Sequence, residues 1–327
     1  MTRPDDEADR ADYLWDRSGP PDPEIARLET LLSPLRHDAP QDELKLRRRR
    51  SRTPFVIAMV VAASLALVMW WRWPRTDAPA VACNGDTGFA FTARTGTVGC
   101  AGAAVASGVL AVGATLDTGG HEAELAIANI GRAELGANTR VRLDRTSAEH
   151  HQLFLEVGHL HARVSAPPRI FAVATPSAHV TDLGCEYSVD IDPSGAGEIH
   201  VITGKVELET AGGTVVVAPA GTHARLLAGR HASLPLADRA GPEITAALRA
   251  LEADAPDGVA WVLAAAREVD AITVANLAAV APAASKRAVL DRLAELVPPP
   301  QPVTVDQALA DRAVFELWFD EVVRRIR

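Results

Sequence analysis

The amino-acid sequence predicts a mainly β body of stacked short strands, arranged as a roll, solenoid or sandwich, followed by an all-α C-terminal region and preceded by one transmembrane helix. Three observations predict it. Residues Phe55 to Trp71 run without a charge. From Thr87 to Arg230, short runs of Val, Leu, Ile and Ala are punctuated by Gly roughly every eight to twelve residues. After Gly241 the composition turns to Ala, Leu, Glu and Arg at helical spacing. The 327 residues therefore divide into a tail at 1–44, a basic segment at 45–54, a span at 55–73, a linker at 74–86, a β domain at 87–230 and a helical domain at 241–327.

The tail reads as two short helices joined by SGPPD. The second has Asp22 as N-cap candidate and Pro23 at its first helical position, and places Ile25, Leu28, Leu31, Leu32 and Leu35 on one face. The first contributes Leu14 and Trp15. Two such helices bury little by themselves, so the expectation is that they order against a partner through these seven residues. Residues 1–44 carry 12 acids against 5 arginines, a polarity that suits a basic partner surface or a solvated tail.

At 1.5 Å per residue the uncharged run spans roughly 25 Å, enough to cross a bilayer, and Val56, Ile57, Val60, Val61, Leu65, Leu67 and Val68 leave it no polar face. It lies too far from the N-terminus for a secretory signal, and no small-residue cleavage site ends it. Lys45, Arg47, Arg48, Arg49, Arg50 and Arg52 precede it, whereas only Arg72 and Arg75 follow closely. The positive-inside rule then puts the tail in the cytoplasm and the rest of the chain outside, with Trp70, Trp71 and Trp73 at the far interface. A net charge of −9, with the one basic cluster used at the membrane edge, argues against nucleic-acid binding.

All three cysteines lie beyond the span. In an oxidising exterior a Cys83–Cys100 bridge would close a short loop and contribute about 3 kcal/mol, while Cys185 reads as a small buried hydrophobe. Within the β region, Leu153, Leu155 and Val157 share one parity, but after Gly158 the apolar set moves to Leu160, Ala162 and Val164. The chain must be re-aimed at that glycine by a bulge or corner. Ile199 and Val201 give way to Val206 and Leu208 across Gly204 in the same manner.

Helices are expected near 242–254, 258–269, 271–281, 283–297 and 304–325, with PPPQP from Pro298 as a hinge or sharp turn. Phe315, Leu317, Trp318, Phe319 and Val322 concentrate bulk that closes a helical core or docks a protein. For chemistry, His159 and His161 alternate on a strand with His150 and His151 nearby, a spacing that suits a metal, but their parity sends the first two to solvent. Asp190 and Asp192 open a turn beside Pro193 and Gly195, and Ser177 and Ser188 lack a matching His and Asp set. No phosphate-cradling glycine loop leads into a helix, so no catalytic residue, cofactor or metal is expected.

The ordered segments at 108–143, 153–164, 170–191, 200–208 and 215–226 resemble the FecR domain. They include the turn at Thr118 and Gly119, the Thr175–Pro176 pair and the Leu183–Gly184 step before a strand. Gly119, Gly158, Pro176, Gly184 and Gly204 are thus the expected fold-defining positions. The resemblance implies a periplasmic β domain of a single-pass inner-membrane regulator of the anti-sigma type, relaying an envelope signal to a cytoplasmic sigma factor. It further implies a periplasmic or outer-membrane protein as exterior partner. Gly184, Cys185, Glu186 and Tyr187 depart from the family's usual Gly-Thr before an aromatic, and no plug-binding module follows as in the iron regulators. The alternative expectation is an envelope scaffold, binding protein or cell wall, whose tail only anchors.

Overall fold

The computed structural model describes residues 23–35, 83, 87–209, 213–229 and 232–326, and the chain divides into two compact units, Met1–Pro74 and Arg75–Arg327. The span expected at 55–73, the basic segment before it and most of the linker lie outside the described residues. Among the described residues no helix is long and apolar enough to cross a membrane. In the first unit, helix α1 covers Pro23–Leu32 and a 3-10 turn follows at Ser33–Leu35.

The second unit opens with seventeen strands among the described residues. Nine belong to one sheet, in the order β4 (Ser107–Leu110), β1 (Phe89–Ala93), β6 (Ala123–Ile127), β7 (Gly131–Leu135), β9 (His151–Val164), β12 (Glu186–Ile191), β13 (Gly197–Thr203), β16 (Thr222–Leu226) and β17 (Leu236–Ala237). We call this sheet A. Sheet B runs β3 (Ala103–Val105), β2 (Val98–Cys100), β5 (Thr115–Asp117), β8 (Arg140–Thr146), β9 again, β10 (Phe171–Ala174), β11 (His179–Asp182), β14 (Lys205–Glu209) and β15 (Val215–Pro219). The long strand β9 is central to both.

Its first half pairs with β8 and β10, its second with β7 and β12, and the change of sheet occurs at Gly158. Leu153 and Leu155 are buried before the glycine, Leu160, Ala162 and Val164 after it, which is the parity shift read from the sequence. Gly158 has φ +103°, and a Cβ there would stand 2.4 Å from Thr139 Cα. Only glycine fits. Because β9 ends in sheet A, the chain must return to sheet B, and it does so beside the start of β9; β10 therefore runs parallel to it, in an otherwise antiparallel fold.

The same device recurs. At Gly119 (φ +52°) and Gly184 (φ +86°) the chain leaves sheet B for sheet A, and at Gly204 (φ +75°) it goes back. Hairpins thus alternate between two sheets whose inward residues form one buried cluster, so the architecture is a two-sheet sandwich folded as a roll. Buried threonines lace the corners together. Thr118 Oγ1 donates to Gly136 O and accepts from Thr139 N, both at 2.8 Å, and Thr139 Oγ1 exchanges hydrogen bonds with the backbone of His159. Pro176 sits in the β10–β11 turn, where Thr175 Oγ1 accepts from the amides of Ser177 and Ala178. Cys83 is bonded to Cys100, with 6.0 Å between Cα atoms, which fastens the lead-in segment to β2.

Helices α2 (Pro242–Glu252), α3 (Gly258–Ala265), α4 (Ala271–Val280), α5 (Ala283–Leu296), α6 (Val305–Ala310) and α7 (Arg312–Ile326) follow. The single helix expected at 304–325 is two: Asp311 is extended, and its carboxylate accepts from Ala313 N at 2.8 Å, capping a new start. PPPQP is a turn whose preceding residue is tied down, because buried Trp318 donates from Nε1 to Val297 O at 2.9 Å. Trp318 and Val322 do close the helical core, but Leu317 points out.

α4 joins helices to sandwich. It packs against β15, the edge of sheet B, where Asn276 accepts from Val217 N at 2.9 Å and donates to Val217 O at 3.0 Å. One side-chain amide thus takes the place of a neighbouring strand. Pro219, two residues on, offers no N–H at the next position on that edge, which is how exposed edges are commonly blunted.

Candidate protein-interaction site

α1 begins with Pro23 and carries Glu24 in its first turn, both favourable at a helix N-terminus. Its spacing puts Ile25, Leu28, Leu31 and Leu32 on one stripe, yet no residue of the helix is buried. Leu28, Leu31 and Leu32 are 57%, 69% and 57% exposed. Three leucines at i, i+3 and i+4, all exposed, form a surface that a single short helix cannot bury and that a groove on another protein can. Leu14 and Trp15 lie outside the described residues, as does the side chain of Leu35, so the stripe is seen through four of its seven expected members.

The outer face of sheet A is the second surface. Register places Thr92, Glu124, Glu134, His161, Ser188, His200 and His223 side by side across seven strands. Glu124 and Glu134 stand opposite each other, and Arg94 bridges them at 3.5 and 3.0 Å. His161 and Arg163 both reach Glu186, at 3.0 and 2.6 Å, and hold its carboxyl below the usual range, Arg163 contributing most. His159 meets Asp190 at 2.7 Å, while His200 and His223 share Asp238. The face carries a ladder of exposed and half-buried pairs, of which the exposed ones are worth little singly.

His150, His151, His159 and His161, whose spacing alone would suit a metal, do not come together. His159 and His161 face solvent as their parity requires. His151, in contrast, is buried at the sheet B end of β9, hydrogen-bonded to Thr146 at 2.8 Å and tilted against Phe89, and burial lowers its pKa. Among the described residues no group of three or more His, Cys, Asp and Glu could hold a metal ion. Ser177 donates its hydroxyl to Gly195 O, Asp192 caps the turn through Ser194 and Ala196, and Asp190 is paired to His159. Each is engaged in local structure.

Cys185 is more than a small hydrophobe. Its thiol donates to Asp182 Oδ2 at 2.6 Å, and Asp182 also accepts from Gly184 N, also at 2.6 Å, so a buried carboxyl organises the Gly184 corner. Burial raises both pKa values, strongly for the thiol, which is therefore no nucleophile at neutral pH. The Tyr187 hydroxyl is buried nearby without a partner. Asp182 could not be singled out from pattern, because an Asp before Leu-Gly reads as an ordinary turn residue.

Residues 114–207 match the FecR protein family, so the sandwich carries a FecR-type domain from just before β5 to within β14. Two crystal structures of a candidate anti-sigma factor from Parabacteroides distasonis, at 2.50 and 1.65 Å, are similar to the chain with 20% identity and a TM-score of 0.31. Each likeness covers 34% of this chain and 53% of the other. No curated protein matches the chain.

Proposed function

With a FecR-type domain as the premise, we propose that the chain is a single-pass regulator of the inner membrane, its tail in the cytoplasm and its sandwich and helices in the periplasm. The tail holds a sigma factor or comparable effector through the α1 stripe, and the exterior body receives an envelope signal from another protein. The chain acts by protein contact rather than catalysis. The observation that carries this reading is the exposed row of Leu28, Leu31 and Leu32, which precedes the uncharged run 55–71 in the sequence, while the FecR-type domain follows it. The bond between Cys83 and Cys100 supports an oxidising exterior, since such bridges persist there and not in cytosol. A lone helix passes information chiefly through altered packing, oligomeric state or proteolysis, so the body's partners set what the tail releases.

Co-purification of the tagged full chain from its own cells tests the reading. Wild type should bring down a sigma factor, and the double variant Leu28→Asp, Leu31→Asp should lose it while reaching the membrane in equal amount. A wild-type chain that retains no transcription protein overturns the proposal and leaves an envelope scaffold.

A further inference from the structure

Beside the Asn276 contact the helices and the edge strand enclose a groove of about 650 Å³, lined by side chains of β15, α4, α5, α6 and α7. A volume of that size is typical of small-ligand sites. Its apolar wall is formed by Ala278, Leu290, Leu309, Phe315 and Phe319, beside a polar share of the lining that is nearly as large, and two of the exposed large hydrophobic residues, Val215 and Leu309, stand along it. Its polar groups are mostly spoken for. Asn276 is committed to Val217, and Arg312 to Glu316 at 3.1 Å. Lys286 is the exception: half-buried in the groove wall, it forms no ion pair or hydrogen bond with any described residue.

We infer that this groove binds a single-chain amphiphile with an anionic head, the acyl chain along Leu290, Leu309, Phe315 and Phe319 and the head on Lys286. The cation selects the charge. The apolar wall selects hydrocarbon over peptide: a peptide laid along Leu290, Leu309, Phe315 and Phe319 would bury an N–H and a C=O at every residue against them, and each one left unpaired costs about 1–3 kcal/mol. Strand addition is closed off as well, because Asn276 already holds the outward groups of Val217. A hydrocarbon chain brings no such groups. The inference uses the groove alone and stands whether or not α1 holds a sigma factor.

The test is photolabelling of the full chain in lipid nanodiscs with a twelve-carbon carboxylate bearing a chain-end diazirine, followed by peptide mapping. The phosphate-headed and alcohol-headed analogues form parallel arms. Crosslinks should appear within 271–290 and 305–319 for the carboxylate, and labelling there by the phosphate as well would broaden the source to phospholipid fragments. Lys286→Glu should cut this labelling about tenfold, the scale of one charge-assisted contact. Lys286→Arg should keep most of it, and Ala279→Phe should block it by filling the groove. An unchanged melting temperature in each variant separates lost binding from lost fold. Equal labelling by the alcohol, labelling confined to 55–73, or displacement by an apolar acidic hexapeptide below the acid's own saturating concentration overturns the inference.

Discussion

α1 and α4 are both ten residues long, α1 apolar along one stripe and α4 nearly all round, and their fates are opposite. In α4, the run Ala271 to Ala278 is buried without a break; in α1, nothing is. The difference lies in what each helix is given. α4 receives β15, β17 and the other helices, and even its one amide side chain is turned into a strand surrogate. Among the described residues of its own unit, α1 has a stripe of leucines and nothing that buries it. The body of the chain buries its apolar residues in one cluster, while the leucines of α1 stay exposed.

Substitutions should therefore act on fold in the body and, under the proposed function, on partner binding in the tail. The largest effect is expected at Gly158, where valine meets both a left-handed φ and the backbone of Thr139. Gly158→Val should cost about 4 kcal/mol or more, read as a large fall in the melting temperature of the purified full chain. Asn276→Ala comes next. It leaves the N–H and C=O of Val217 without their partner at a packed edge, and about 2–4 kcal/mol should be lost by denaturant unfolding. A variant as stable as wild type would show that the helices cover β15 without securing it.

Asp182 tests closure through pH. Its carboxyl keeps its proton to higher pH in the folded chain than in the unfolded one, chiefly through burial. Its contribution is thus fully present below the unfolded carboxylate pKa and declines as pH rises through the raised folded value. Glu186 has the opposite sign: lowered by Arg163 and His161, its contribution is present above the unfolded pKa and lost as pH falls through the lowered one. Asp182→Asn should remove the first slope and keep the second, as seen in melting temperatures from pH 3 to 7. The smallest effect is expected in the tail, where Leu31→Asp should leave stability within about 0.5 kcal/mol of wild type. A cooperative loss of fold would mean that the stripe already has a place in the body.

Much of this was legible in the residues. The corner at Gly158 could be read because a two-residue period has only two phases, and a change of phase is visible in any string of letters. α1 could be read for the same kind of reason, from leucines at helical spacing after Pro23. The break at Asp311 was hidden: the flanking residues are good helix formers, and only the aspartate's choice to cap the following turn divides them. His151, Asp182 and Asn276 were hidden more deeply, since their roles depend on Phe89, Gly184 and Val217, which the chain brings to them from a distance or through a corner. Pattern shows which face a residue takes, but not who waits there.

Ordinary sandwiches have a seam, two leaves held by side chains alone, along which they can slide or part. Here β9 is stitched into both leaves, so parting them means tearing backbone hydrogen bonds on four flanks of one strand. Amides along β9 should be the slowest in the molecule to exchange with deuterium. A body without a seam has no weak plane along which its leaves part, so they should come undone together, in one cooperative step.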